Sequence, residues 1–450
     1  MTSMHHNAGN KLALEYVCPR TLNADPRNPR LHTPPQVAAI ARSISTFGFN
    51  IPVVANTDDL IIAGHGRIAA AIKLGLDAVP VVRIDHLTAD QRQAFMIADN
   101  RLTDTSKWDD QLLGEVLRDL SLADLDFELD AIGFSVGEID LKIEALNVGD
   151  GGDDLDQNAA ILMAGPPITQ PDDLWLLGKH RLLCGDALLT GSWSELMNGT
   201  KAQMVFADVP YNLPVPGFVS GLGKIKHREF LAGSGEMDRD QFTTFLADAF
   251  RQMAKHSVPG ALHYVCLDWR HQGEMIAAGE SAFTELKNMC VWVKPSGAMG
   301  SLYRSQYELI YVWKSGRGRN QNNVELGRNG RNRTNIWTYP AIAGFRHSEG
   351  GDLLETHPTC KPVKLVADAI LDVTARGDIV VDPFMGSGTT LIAADRVGRI
   401  SYGLELDPIY CDAILRRYLE LTGDMPVLEA TGETFAAVTA CRGDQAEQAA

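Results

Sequence analysis

The ten residues VDPFMGSGTT at positions 381–390 constrain the fold of this chain more than any other segment. A short apolar run ends at Asp382, glycines follow at Gly386 and Gly388, and a helical pattern begins near Thr389. Glycines let a backbone approach a ligand closely, and the first N–H groups of a helix can hold a carboxylate or a phosphate. The segment therefore predicts a strand, a ligand-binding turn and a helix within an α/β sheet.

Acids at the ends of two other apolar strands extend this pattern. Glu405 lies 23 positions after Asp382, roughly the spacing at which an acid at a strand end meets the ribose hydroxyls of an adenosine cofactor. Asp186 follows the apolar run HRLLC and could accept a hydrogen bond from an adenine. At the helix start, the hydroxyls of Ser387, Thr389 and Thr390 are suited to a carboxylate.

The tetrapeptide DVPY at 208–211 follows the apolar strand QMVFA and predicts chemistry at a nucleobase amine. Such an amine is a poor nucleophile because its lone pair is delocalised into the ring. Two acceptors on its hydrogens localise that lone pair and aim it at an incoming methyl group. Asp208 would supply a carboxylate and Val209 a backbone carbonyl, in a turn stiffened by Pro210. Tyr211 would stack on a base flipped out of its duplex.

In this order, the two segments resemble the permuted beta class of DNA amino-methyltransferases, in which D-P-P-Y precedes F-x-G-x-G. The resemblance covers about 170–422 and includes GDAL, HPTCKP at 357–362 and GLELDP. It implies a Rossmann-like domain with a mixed sheet flanked by helices, S-adenosylmethionine as cofactor and double-stranded DNA as substrate. It also implies that Lys361 lies beside the methionine end of the cofactor. The cofactor-lining residues expected in this way are Asp186, Lys361, Asp382, Phe384, Gly386, Ser387, Gly388, Thr389, Thr390 and Glu405, and no metal is expected.

The first residue of DVPY favours adenine N6 as the methylated atom, since the resembling cytosine-N4 enzymes more often begin this motif with serine. Cytosine N4 stays open as an alternative. Methylation at a ring carbon of cytosine needs a cysteine nucleophile, commonly after a proline, and the chain has no Pro-Cys dipeptide. An alternative of another class is a ParB-like regulatory protein, binding DNA or a nucleotide, whose methyltransferase half is inactive.

Residues 12–106 carry a separate small α/β pattern around AGHGRIAAAIKLG at 63–75. It resembles the ParB/sulfiredoxin-like nucleotide-binding domain, in which a G-x-x-R turn opens a helix toward phosphate. Sulfiredoxin chemistry needs a cysteine in this loop, and none lies between Cys18 and Cys184. The resemblance implies a DNA-contacting or nucleotide-sensing accessory domain. Its expected polar cluster is Arg30, Gly64, His65, Arg67, Asn100 and Arg101.

The net charge of −16 is concentrated in one segment. Residues 109–156 hold 15 acids against two basic residues, so the rest of the chain is nearly neutral. We expect 107–158 to be a helical acidic connector and linker, 160–422 the methyltransferase domain, and 423–450 a partly disordered tail. Within 315–350, a candidate target-recognition region, arginines are expected to contact DNA phosphates and base edges. They are Arg317, Arg319, Arg328, Arg331 and Arg333.

Composition bounds the location and the partners. Seven scattered cysteines without a CxxC pair predict reduced thiols. The chain has no apolar run of roughly 18 residues and no signal-peptide pattern, which predicts a cytoplasmic protein without a membrane span. The partners expected are DNA and a nucleotide at the amino-terminal domain. A homodimer and a companion restriction nuclease are left open by the sequence.

Overall fold

The computed structural model describes residues 12–123, 125–146, 167–212, 235–295, 297, 302–327, 331–340 and 361–449, with side chains described up to 442. The chain divides into two compact units, residues 1–146 and 147–450. Across these described ranges, no helix is long and apolar enough to cross a membrane.

The first unit is a small α/β domain followed by two further helices. Its sheet has the order β1-β4-β2-β3. The strands are β1 (Leu14–Val17), β2 (Val53–Ala55), β3 (Ile61–Ala63) and β4 (Val79–Arg83). The helices are α1 (Pro34–Phe47), α2 (His65–Leu74), α3 (Ala89–Asp104), α4 (Asp110–Leu122) and α5 (Val136–Leu146).

The acidic connector contains α4 and α5, which pack against each other. Leu117 on α4 and Ile139 and Ile143 on α5 form a small buried apolar cluster. Most acids of both helices remain on exposed or partly exposed positions because this contact needs only one apolar stripe from each helix, whereas Asp140 on α5 is 1% exposed. Residues 149–158, the expected linker, lie outside the described residues.

The second unit is built on a mixed ten-stranded sheet in the order β11-β9-β10-β8-β7-β12-β13-β6-β5-β14. The strands are β5 (Leu174–Leu177), β6 (His180–Cys184), β7 (Ala202–Asp208), β8 (Ser257–Leu267), β9 (Glu285–Val293), β10 (Tyr307–Lys314), β11 (Ile336–Thr338), β12 (Ile379–Asp382), β13 (Ile400–Glu405) and β14 (Val427–Leu428). The five central strands, β8, β7, β12, β13 and β6, are parallel, and β5 and β10 run antiparallel to them.

Helices cover both faces of this sheet. They are α6 (Thr190–Met197), α7 (Arg239–Lys255), α8 (Gln272–Ala282), α9 (Val363–Val373), α10 (Thr389–Arg396), α11 (Pro408–Thr422) and α12 (Phe435–Ala449). Side chains of β7 alternate between two buried cores: Met204 and Phe206 enter one, and Val205 and Ala207 enter the other. The fold is therefore the predicted α/β architecture, a mixed sheet between two helical layers.

The strand order reverses between β7 and β12. From β7 the chain continues outward to β8, whereas from β12 it continues in the other direction to β13. Parallel α/β sheets bind ligands at the carboxyl ends of strands that flank such a reversal. Asp208 ends β7 and Asp382 ends β12, so both lie at this point.

Part of the segment 423–450, expected to be a partly disordered tail, packs on the sheet. β14 pairs with β5, and Phe435 packs edge to face on Trp175 with ring centroids 5.4 Å apart. Arg442 binds Asp173 through an ion pair and also donates to the carbonyl of Ile168. The Ala- and Gly-rich composition of the tail hides the few apolar side chains that fill the core there.

Gly279 on α8 should not tolerate a methyl group. A Cβ at this position would lie 2.2 Å from the nearest ring carbon of Trp313, which is buried. Alanine usually stabilises a helix interior by about 1 kcal/mol over glycine. Here we expect Gly279→Ala to lower the free energy of unfolding by about 1 to 3 kcal/mol, because the core is overpacked. Urea unfolding measures this difference.

Gly191 on α6 provides the matched control, since a Cβ there would meet no atom within 4 Å. Gly191→Ala should leave stability unchanged or raise it slightly. Equal effects of the two substitutions would contradict the close packing of α8 on Trp313.

Candidate active site

Four acids lie at the ends of neighbouring parallel strands, at one edge of the second sheet that is here called the carboxyl edge. In spatial order, Asp208 ends β7, Asp382 ends β12, Glu405 ends β13 and Asp186 lies just past β6. The backbone links the last two strands further, since Gly185 N donates to the carbonyl of Glu405 at 2.9 Å. These four acids, which are far apart in the sequence, therefore lie side by side at the carboxyl edge.

Two of these carboxylates hold the turn between β12 and α10. Asp382 accepts from the backbone N–H of Phe384 at 3.0 Å and from the Thr390 hydroxyl at 2.6 Å. Glu405 accepts from the backbone N–H of Gly386 at 2.7 Å. Acids from two adjacent strands thus fix both ends of the glycine-containing turn that the sequence indicates.

The hydroxyls at the start of α10 have partners within the protein. The Thr390 hydroxyl donates to Asp382, and the hydroxyls of Ser387 and Thr389 lie 3.0 Å apart in a hydrogen bond with each other. All three side chains are buried. Their geometry therefore favours a role in shaping the turn over the expected direct contact with a cofactor carboxylate.

Gly388 is required by the same turn for two reasons. Its φ of 77° lies in the left-handed region, and a Cβ would come within 3.2 Å of Ile414. A side chain at this position would push the turn away from α11.

The partly exposed groups at the carboxyl edge fit an adenosine-type cofactor. Glu405 accepts from the N–H groups of Gly386 and Asp407, yet each carboxylate oxygen retains a second lone pair that a ribose hydroxyl could use. Asp186 and Phe384 are also partly exposed. Burial raises the pKa of both Asp382 and Glu405 to about 7, opposed by the hydrogen bonds that each accepts. The donor and acceptor set therefore suits S-adenosylmethionine.

Asp208 lies in a dense group of charges, here called the Lys361 cluster: Asp208, Tyr211, Lys294, Glu308 and Lys361. Lys361 Nζ is 2.6 Å from Asp208 Oδ2 and 3.1 Å from Glu308 Oε2. The Tyr211 hydroxyl is 3.0 Å from Asp208 Oδ1 and 3.2 Å from Glu308 Oε2. Lys294 Nζ is 2.6 Å from Glu308 Oε1. Lys361 therefore forms an ion pair with Asp208, the predicted catalytic aspartate. The resemblance implied instead that Lys361 lies beside the methionine end of the cofactor.

Protonation states in the Lys361 cluster follow from these contacts. Burial would lower the pKa of Lys361, but Asp208 and Glu308 raise it above its ordinary value. Burial would raise the pKa of Glu308, but Lys361 and Lys294 lower it to about 2. Burial raises the pKa of Asp208, and Lys361 opposes that rise. Lys361 is thus charged, and it stabilises the ionised form of Asp208.

Neither Glu308 nor Lys294 is predicted as a site residue from the sequence. Both fall within 170–422, the part of the chain that resembles the family, and Glu308 is the only acid of β10, a strand of mostly apolar residues. A lone carboxylate in such a strand is a signal that could have identified it, because burying a charge is costly without a partner.

The backbone around DVPY is fixed by buried contacts. Val209, which replaces the proline usual in the resembling family, is 1% exposed and packs in the core beneath the sheet. The next anchor is Asn212, also missed from the sequence, with φ of 50°. Its side chain accepts from the N–H groups of Gly235 and Met237 and donates to the Met237 carbonyl at 2.8 Å. Asn212 thus ties the chain before residue 213 to the chain after 234.

Arg331 and Arg333 are structural ion-pair residues, contrary to the expectation that they contact DNA. Arg331 is 6% exposed and bonds Asp372 at 3.1 Å and Asp368 at 3.2 Å. Arg333 Nε lies 2.7 Å from Asp372 Oδ2. Both acids are on α9, so the two arginines attach the segment before β11 to that helix. Arg328 lies outside the described residues.

Arg317 and Arg319 are exposed but lie at the other edge of the sheet. They follow the end of β10, which runs antiparallel to β8, and Gly260 N near the start of β8 donates to the Ser315 carbonyl at 2.6 Å. The carboxyl ends of β7 and β8 are therefore at the opposite end of the strands. This position does not support the expected contact with DNA beside a flipped base.

The polar residues predicted in the first unit fall into two groups. Gly64, with φ of 104°, His65 and Arg67 share the start of α2. Burial lowers the pKa of Arg67, opposed by Asp99 on α3. Arg30 instead pairs with Asp104 at 2.9 Å, Asn100 donates to the Met96 carbonyl of its own helix, and Arg101 is exposed. The predicted cluster is thus centred on the start of α2.

Comparison with known proteins identifies relatives for both units. A family model described as "DNA methylase", of the N6/N4 type, matches residues 202–416. Type II methyltransferase M2.MboI of Moraxella bovis is 28% identical over 241 residues, which are 50% of this chain and 82% of that protein. The ParB-like nuclease domain-containing protein YnaK of Escherichia coli K12 is 41% identical over 83 residues, which are 18% of this chain and 95% of that protein.

Among solved structures, two are similar to part of this chain. The M1.HpyAVI–SAM complex is 19% identical and covers 52% of this chain and 97% of its own, with a TM-score of 0.39. PvuII DNA methyltransferase (cytosine-N4-specific) is 18% identical and covers 56% of this chain and 89% of its own, also with a TM-score of 0.39.

Proposed function

We propose that this chain, whose residues 202–416 match the N6/N4 DNA methylase family and which carries a ParB-like domain ahead of them, methylates N6 of adenine in DNA. S-adenosylmethionine is the methyl donor. The observation that carries this proposal is the position of the Asp208 carboxylate, 2.6 Å from the Lys361 ammonium, at the strand reversal beside the turn between β12 and α10.

Asp208 and Val209 act on the amine of a flipped base. One amine hydrogen donates to the Asp208 carboxylate and the other to the Val209 carbonyl, so the nitrogen lone pair is freed from the ring. When bound, the cofactor supplies a sulfonium-activated methyl group. Methyl transfer to the amine nitrogen would leave the electron pair of the broken bond on the cofactor sulfur, and Asp208 or water would accept the amine proton.

Lys361 makes this acceptor effective. Its ammonium compensates the buried charge of Asp208 at 2.6 Å, which keeps the carboxylate ionised in a site where burial disfavours charge. Tyr211 borders the same site, and its partly buried ring supports a role in holding the flipped base.

Adenine is preferred over cytosine because an aspartate opens the DVPY motif. The Asp208 carboxylate and the Val209 carbonyl would also fit the N4 amine of cytosine. Identification of the methylated base in the product distinguishes the two targets. DNA from a methylation-free host that expresses this chain should contain N6-methyladenine in one sequence context, read by single-molecule sequencing. N4-methylcytosine instead would reject the adenine assignment, and unmodified DNA would favour a regulatory protein that binds the cofactor without turnover.

The ParB-like domain is proposed to bind a nucleotide at the start of α2. Gly64, His65 and Arg67 meet there, and Arg67 Nε has no hydrogen-bond partner among the described residues. A phosphate would supply such a partner.

We expect Arg67→Ala to weaken nucleotide binding by roughly 10- to 100-fold, because the phosphate loses a charge-assisted hydrogen bond. Calorimetric titration with nucleoside triphosphates tests this expectation. Arg42→Ala, which removes an exposed arginine on α1 paired with Asp130, should leave binding unchanged. Equal binding by the wild type and Arg67→Ala would reject the site.

A further inference from the structure

Glu308 belongs to the Lys361 cluster but has no part in the reaction proposed above. Its Oε2 lies 3.1 Å from Lys361 Nζ and accepts from the Tyr211 hydroxyl at 3.2 Å. Its Oε1 lies 2.6 Å from Lys294 Nζ. Glu308 therefore shares two of its contacts, the ammonium and the phenol, with Asp208.

Lys361 carries one positive charge and contacts two carboxylates. If Asp208 were its only partner, the buried ammonium would compete with the substrate amine for the same carboxylate, since opposite charges attract strongly where water is excluded. Because Glu308 also attracts the Lys361 ammonium, that ammonium is held less tightly to Asp208. Lys294 compensates the negative charge that Glu308 adds. The four charged groups then form an alternating, neutral set.

The Tyr211 hydroxyl has one hydrogen and two carboxylate acceptors. Asp208 Oδ1 is 3.0 Å away and Glu308 Oε2 is 3.2 Å away. Rotating the hydrogen from Asp208 to Glu308 would free a lone pair on Asp208 without leaving the hydroxyl unpaired. The substrate amine can use the acceptor position released in this way.

We propose that Glu308 is a positioning residue that draws the Lys361 ammonium and the Tyr211 hydroxyl toward itself when the substrate amine binds, and so opens Asp208 as an acceptor. This inference rests on the proposed function. Glu308 is not itself a proton acceptor in the working pH range, because Lys361 and Lys294 lower its pKa to about 2 despite its burial.

Two substitutions should move the pH dependence of methyl transfer in opposite directions. In Glu308→Gln, Asp208 loses a nearby negative charge that raises its pKa, so the acid limb of the single-turnover rate should move to lower pH. The rate itself should fall by roughly 30-fold, with cofactor affinity within about twofold of the wild type. In Lys294→Gln, Lys361 is drawn more toward Glu308, so Asp208 is less stabilised and the acid limb should move to higher pH.

The matched control is Glu285→Gln, which removes an exposed carboxylate at the far end of the same hairpin, where it pairs with Lys287. This variant should keep the wild-type rate and pH profile. Thermal melting checks the fold of each variant, and Lys294→Gln decides the question if Glu308→Gln does not fold.

Wild-type rates and unmoved acid limbs in both variants, with an active wild type, would overturn the positioning role alone. A wild type that transfers no methyl group to DNA would overturn the proposed function and this inference together.

Discussion

Replacing Asp208 with alanine should reduce methyl transfer to DNA by roughly 1,000-fold or more, about 4 kcal/mol of transition-state stabilisation. The carboxylate is the one side-chain acceptor proposed for the amine, and the Val209 carbonyl alone cannot localise the lone pair. The fold should survive because the buried Lys361 keeps an ion pair with Glu308 at 3.1 Å. Incorporation of a labelled methyl group into DNA measures the loss, and calorimetry should show near-normal cofactor affinity.

Asp268→Asn is the matched control for this substitution. Asp268 follows the end of β8, next to β7, and its carboxylate pairs with Arg270 instead of with the Lys361 cluster. Removing its charge should leave methyl transfer near the wild-type rate. Unchanged incorporation by Asp208→Ala, or equal losses in both variants, would reject the role assigned to Asp208.

Replacing Glu405 with glutamine should weaken cofactor binding by roughly 100-fold, about 2.7 kcal/mol. The two carboxylate oxygens accept from the N–H groups of Gly386 and Asp407 at 2.7 and 2.9 Å. A glutamine presents an NH₂ group to one of these donors, so one hydrogen bond is lost and the turn is displaced. The ribose hydroxyls also lose a charged acceptor. Calorimetric titration with S-adenosylmethionine measures the effect.

Asp407→Asn separates this effect from a general loss of charge. Asp407 follows the same strand, but its side chain caps α11 by accepting from Ile409 N at 3.0 Å. Asparagine is an equally good cap, so affinity should be unchanged. A wild-type affinity in Glu405→Gln would contradict the assignment of Glu405 to the cofactor site.

Local sequence predicts the turn between β12 and α10 well because its geometry is short-range. The spacing of Asp382, Gly386 and Gly388 fixes a strand, a tight turn with left-handed glycines and a helix start, and the structure has these elements at β12 and α10. The common location of the strand-end acids can also be predicted from the sequence, since parallel strands bring their carboxyl ends to one edge of the sheet.

Ion pairs between residues far apart in the sequence cannot be predicted in this way, because no local pattern indicates which charged side chains will be in contact. The arginine-rich sequence around Arg331 and Arg333 suggested DNA contacts, yet the two side chains form ion pairs with Asp368 and Asp372. Arg317 is exposed, but the direction of β10 puts it at the edge of the sheet opposite to Asp208.

The sequence by itself determined the two α/β units, the turn between β12 and α10 and the strand-end positions of Asp208 and Glu405, because strand periodicity, glycine conformation and strand-end acids are local properties. Only the tertiary structure decided that Lys361 bridges Asp208 and Glu308, and that the carboxyl-terminal segment completes the sheet. The physical reason is that ion-pair partners and core contacts depend on distances between strands, which are set when the whole sheet assembles.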